Sequence, residues 1–133
     1  MNMSHEAIAR QFYTAFNTGD TSLLDQILAP DWVEYPWSYP EQIPGIKSYK
    51  PVITGFRTVF PDVNFTNEDV IVANDKVTVR SVVTGTHSAP FLDVEPTGKQ
   101  VKFNTIDIHR INDGKIVETW HIEDLFDVLQ QLK

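Results

Sequence analysis

The stretch VKFNTIDIHRINDGKIVETWHIED, residues 101–124, decides the fold. It reads as two strands joined at Asn112-Asp113-Gly114, a dipeptide chemistry that favours a tight hairpin turn. Side chains alternate across a strand, so the parity of a residue number assigns its face. Asp107, His109, His121 and Glu123 are odd, while Ile106, Ile108, Trp120 and Ile122 are even. A hairpin whose paired residue numbers add to an even value therefore collects four titratable groups on one face and four apolar ones on the other.

Upstream, VNFTNEDVIVA, an Asn74-Asp75 turn and KVTVRSVVTGTH form a second hairpin by the same alternation, and residues 90–98 form the loop between the two hairpins. The first half of the chain has helical spacing. Ile8, Phe12, Ala15 and Phe16 make an apolar stripe between a candidate N-cap, Ser4, and Gly19. Asp20 or Thr21 caps a short helix through Leu23, Leu24, Ile27 and Leu28 that Pro30 is expected to stop. Residues 31–35 are aromatic and β-branched, and the Pro36 to Gly45 segment, with Trp37 and Tyr39, reads as an irregular loop able to act as a lid. Ile46, Tyr49, Ile53, Phe56, Val59 and Phe60 return to helical phase, with the start of firm helix expected somewhere between Lys47 and Pro51, and Asp124 to Leu132 form a short terminal helix. Helices followed by four strands predict one α+β domain over residues 1–133, with helices on one face of a curved antiparallel sheet.

The chain has 133 residues, a formal charge of −7 and 11 Lys and Arg. That scattered basic content disfavours nucleic acid as a partner. There is no cysteine, hence no disulfide, thiolate nucleophile or cysteine-based zinc site. Without an apolar leader or a run long enough for a membrane span, the expectation is a cytoplasmic protein with no membrane association. No phosphate-binding glycine loop or nucleotide fingerprint occurs, so no cofactor is expected, and no Ser sits in a nucleophile-elbow context. What remains is acid/base chemistry on a small apolar carbonyl compound.

Five pieces in order, FYTAFNTGD, LAPDWVEY, GIKSY…FRTVFPDV, TGTH…FLDVEPTGK and DIHRINDGKIVETWHIEDLFDVLQQL, resemble the SnoaL-like polyketide cyclases of the nuclear-transport-factor-2-like superfamily. The resemblance spans nearly the whole chain. It implies a cone-shaped sheet with helices on its concave face around one deep apolar pocket. In family members that cyclise polyketide esters it places a His where this chain has Asp107 and the catalytic Asp where it has His121, so the two residue types are exchanged. A third pocket position corresponds to Glu34, and His87 falls at the pocket edge.

The expected catalytic group is therefore His121 as general acid/base, Asp107 as its partner and Glu34 as a further polar group. Facing inward among aromatics, Glu34 would have a raised pKa; facing outward, it would be a surface acid. The plain alternative for Asp107 and His121 is a polar cross-strand pair on a solvated face. Phe12, Phe16, Trp32, Trp37, Tyr39, Phe56, His87, Phe103 and Thr105 are the expected ligand-binding residues, although most such aromatics serve as core. His109 and Glu123 extend the titratable face toward a ligand set suited to zinc, manganese or ferrous iron. His109, next to the turn, is expected to be exposed, so no metal site is expected. The apolar even face needs cover, which predicts a homodimer through the outer face of the sheet. A non-catalytic pocket for a small ligand is the first rival reading, and a metal-dependent enzyme using the His and carboxylates of the last hairpin is the second.

Overall fold

The computed structural model describes residues 3–36 and 45–133. Trp37 and Tyr39 lie outside the described residues. The elements run α1 (His5–Thr18), α2 (Leu23–Ile27), β1 (Leu28–Tyr35), α3 (Ile46–Val59), β2 (Asn64–Ala73), β3 (Lys76–Thr86), β4 (Gln100–Asn112), β5 (Lys115–Glu123) and α4 (Leu125–Leu132). Helix α1 starts and ends where its cap residues sit. Ser4 Oγ accepts the Ala7 N–H at 3.1 Å, and Gly19, at φ 78°, donates its N–H to the Ala15 carbonyl at 2.9 Å.

The five strands form one sheet in the order β1-β5-β4-β3-β2. The four strands read from the alternation pair antiparallel as expected, and β1 adds itself parallel to β5, with Glu34 opposite Thr119. Pro30 does not stop a helix. Helix α2 ends three residues earlier at Ile27, and Leu28 already has extended backbone at φ −101°, so Pro30 lies within β1. An edge strand tolerates this because a missing N–H can face away from the ladder. Helix α3 begins at Ile46 and carries Pro51 inside it.

The odd residues of β4 are buried from Val101 to Ile111, and β3 buries Val77, Val79, Ser81 and Val83 beside them. Helix α1 lays Ile8, Phe12, Tyr13 and Phe16 into that concave face. A second apolar cluster forms around Phe60, Val83 and Phe103 and is closed by Val128 and Leu132 of α4. The opposite face leaves Ile106 47% and Ile122 74% exposed. None of the helices among the described residues is long and apolar enough to cross a membrane.

The key register depends on an irregularity. Asn112 pairs with Lys115 around a two-residue turn in which Asp113 and Gly114 both have positive φ, yet Arg110 pairs with Glu118. Val117 is the extra residue on β5, a bulge that shifts the pairing by one. Beyond it, Asp107 lies directly opposite His121 and His109 opposite Thr119.

Candidate active site

Helix, edge strand and hairpin meet around a cavity of about 840 Å³, within the usual range for small-molecule sites. Helix α1 contributes Phe12, Tyr13 and Phe16, because a helical stripe repeats at three and four residues. Trp32 and Glu34 come from β1, where the period of two keeps them on one face. Tyr49 and Phe56 enter from α3, Asp107 from β4, and His121 and Glu123 from β5. Rings carry the walls: Trp32 and Tyr49 meet edge-on at 4.8 Å, and Phe16 and Phe65 are also 4.8 Å apart.

A directed chain of hydrogen bonds runs beneath the cavity. Tyr13 O–H donates to Asp107 Oδ2 at 2.6 Å, which leaves the phenol oxygen to accept from His109 Nε2 at 2.8 Å. His109 then carries its proton on Nε2, so Nδ1 accepts from the Thr119 hydroxyl at 2.8 Å. Thr119 Oγ1 in turn accepts the Trp32 indole N–H at 3.0 Å. On the other side, His121 Nδ1 donates to Asp107 Oδ1. Asp107 is thus a buried acceptor with a donor on each oxygen.

Burial, opposed in part by Asp107 and reinforced by the charge of His121, lowers the His109 pKa to about 4 and keeps its ring neutral. His121 behaves in the opposite way. Burial alone would lower its pKa, but hydrogen bonds to Asp107 and Glu123 and the negative field of Asp107 and Glu34 win, raising it to about 11. Its side chain is 23% exposed, and its Nε2 is 3.5 Å from Glu123, a long contact that leaves this N–H open to a better acceptor. Glu34 hydrogen-bonds Tyr49, while its Oε2 is buried without a hydrogen-bond partner among the described residues. Desolvation raises the Glu34 pKa to about 7; the nearby His121 and the Tyr49 hydrogen bond pull it down, and Asp107 and Glu123 push it further up. Burial holds the Tyr13 and Tyr49 phenols well above their usual range, so both stay neutral donors.

The chain matches the SnoaL-like polyketide cyclase family over residues 7–132. It belongs to that family. Among similar solved structures is TsrD from Streptomyces laurentii, 28% identical with a TM-score of 0.86, over 95% of this chain and 92% of TsrD. IdmH, a proposed polyketide cyclase from Streptomyces antibioticus, is 32% identical with a TM-score of 0.84, over 98% and 99% of the two chains. AclR, a proposed hydroxylase from Streptomyces galilaeus, is 27% identical with a TM-score of 0.82, over 96% and 80%. Among curated proteins, none is significantly similar in sequence. The SnoaL-like scaffold thus occurs with different assigned reactions, and the residues of each cavity must carry the functional reading.

In this SnoaL-like cavity the structure brings together Asp107, His121, Glu34, Phe12, Phe16, Trp32 and Phe56 as the sequence expected. Because Asp107 and His121 are directly paired, exchanging their residue types moves the carboxylate from one strand to the other and preserves the contact. Four expectations fail. His87 is fully buried away from the cavity, bonded through Nδ1 to the Thr97 N–H at 3.1 Å, because the β3–β4 loop folds over it. Phe103 shares the odd face but belongs to the second apolar cluster under α4, and Thr105 is buried between the two regions, so neither lines the cavity. His109 is not exposed at the hairpin end: it is 0% accessible, because Tyr13 of α1 and Thr119 of β5 enclose it.

Sequence reading gave Glu123 only a place in a candidate metal-ligand set, gave Tyr13 no more than a place among aromatics better suited to core than to a ligand cage, and gave Tyr49 only a helical phase. Tyr13 shares its helix with Phe12 and Phe16, and a tyrosine on a buried stripe needs a partner for its hydroxyl, a signal that can be read in advance. Nothing in the spacing identifies that partner. Among the described residues, no group of three or more His, Cys, Asp or Glu is arranged to hold a metal ion.

Proposed function

We propose that this SnoaL-like protein is a cofactor-independent enzyme that moves a proton next to the carbonyl of a small, largely apolar compound. Such a step underlies aldol-type ring closure and isomerisation. Glu34 takes the C–H proton, the bond's electron pair moves onto the carbonyl oxygen, and His121 Nε2–H receives the developing enolate. The enolate carbon then attacks its electrophile or recovers the proton from Glu34. Asp107 orients the imidazole and balances its charge. With a pKa of about 11, His121 is better suited to donate a hydrogen bond throughout than to shuttle the proton, which passes that role to Glu34.

The observation that carries this reading is the buried Glu34 Oε2, without a hydrogen-bond partner among the described residues, in an aromatic cavity beside an imidazolium held by Asp107. A carboxylate near neutrality paired with a fixed cation is the usual division of labour for carbon acids. A non-catalytic ligand site would have been favoured had Asp107 and His121 turned apart, and they are bonded to each other. The test needs no natural substrate. Polycyclic β-dicarbonyl compounds incubated with the protein in heavy water are expected to exchange their acidic C–H for deuterium, read by NMR, with Glu34→Gln at background. A panel that binds without enzyme-dependent exchange overturns the proposal.

We also propose that the outer sheet face, with Ile106 and Ile122 exposed, packs against a second copy. Sedimentation at micromolar concentration is expected to give a dimer; a monomer removes the idea.

A further inference from the structure

The β3–β4 loop holds a residue that its backbone disfavours. Phe91 and Val94 exchange both backbone hydrogen bonds, at 3.0 and 2.9 Å, so Leu92 and Asp93 form a two-residue turn. Their φ angles are 52° and 61°, the signs of a turn that selects Asn and Gly. At the other left-handed positions among the described residues stand only Asn, Asp or Gly. Leucine has no local hydrogen bond to offset the crowding of its Cβ there. Such a residue persists where its side chain is needed.

That side chain lines the cavity, as does Phe91 before it. Val52 of α3, 49% exposed, lines it too, and an exposed lining residue marks the opening. The loop is held rigid at its base. His87 donates its N–H to Lys99 O, accepts Gly98 N–H on its carbonyl, both at 2.9 Å, and takes the Thr97 N–H on its ring. Phe91 anchors the tip against Phe60, with ring centroids 5.5 Å apart.

We propose that Leu92 is a specificity-determining residue: the strained turn at the tip of a clamped loop sets it at the rim to grip the apolar body of the substrate. This rests on the reading of the cavity as the reacting site. The rival role is plain packing, since Leu92 also touches the second apolar cluster. Two variants separate them. Leu92→Asn suits the backbone and removes the apolar grip; Asp93→Gly relaxes the same turn at an exposed position off the cavity.

Binding is read by fluorescence titration with Nile red, a neutral polycyclic dye, and stability by thermal melting. For Leu92→Asn, Kd is expected to rise about 5- to 10-fold, the loss of roughly half a buried leucine, while Tm holds or rises by a few degrees. Asp93→Gly is expected to raise Tm and leave Kd unchanged. A Leu92→Asn Kd within about 2-fold of the parent overturns the proposal, and so does a Tm drop above about 5 °C, which marks Leu92 as core packing. Failure of the dye to bind the parent protein overturns it together with the cavity reading. Loss of deuterium exchange with dye binding intact touches only the proposed chemistry.

Discussion

Replacing Glu34 with glutamine is expected to cut proton exchange by about 10²- to 10⁴-fold and to erase its rise with pH. In the parent protein the carboxylate is the active form, so the rate climbs as pH passes through about 7, where Glu34 ionises. The same substitution has a stability signature of opposite origin. A carboxyl whose pKa is raised from 4.5 to about 7 binds more protons in the folded than in the unfolded chain across that interval. Its contribution is therefore present at low pH and is lost as pH rises toward 7. Glutamine, neutral throughout, is expected to match the parent near pH 4 and exceed it at pH 8.5, by at most about 3 kcal/mol and less in practice, since Glu34 is only partly buried. Urea melts at the two pH values measure this. Equal stability at pH 8.5 with an unaltered rate profile would show that Glu34 is not the buried, poised group described.

Substitutions at the hairpin pair come second. Asp107 accepts from Tyr13 and from His121 at once, and an asparagine in its place presents one acceptor and one amide donor. One of the two donors is then opposed by another donor. With the pairing charge gone, burial, which alone lowers the His121 pKa, is expected to dominate, and the ring becomes neutral near pH 7. Asp107→Asn should thus lose on the order of 10³-fold in kcat/KM and about 3 kcal/mol of stability, with the His121 ring, followed by nitrogen NMR, titrating several units lower. His121→Ala, at a partly exposed side chain, is expected to abolish turnover and keep the fold. An Asp107→Asn protein in which His121 still titrates near 11 would remove Asp107 from its role.

These effects concern residues that sequence reading found to different degrees. Asp107 and His121 were legible because residues alternate faces along 103–109 and 118–123, and Glu34 because it follows Trp32 by two in a short aromatic strand. Its inward orientation was not legible: parity fixes that Trp32 and Glu34 share a face, and only the parallel pairing of β1 with β5 turns that face to the cavity. His109 shows the opposite failure. Proximity to the turn argued for exposure, but the neighbours that bury it come from α1, 96 residues away, and from the opposing strand.

By itself the sequence determined the α+β class, the element order, and which side chains of each strand share a face, since these depend on local periods of two and 3.6. Tertiary structure alone decided which faces meet and in what register. The hairpin turn by itself pairs residues so that Asp107 would face Trp120, and the bulge at Val117 shifts that register by one to put His121 there. That choice is stabilised by contacts no local period encodes: Tyr13 on Asp107 and His109, and Trp32 on Thr119. Buried polar groups favour a register that pairs them, and the observed register pairs these.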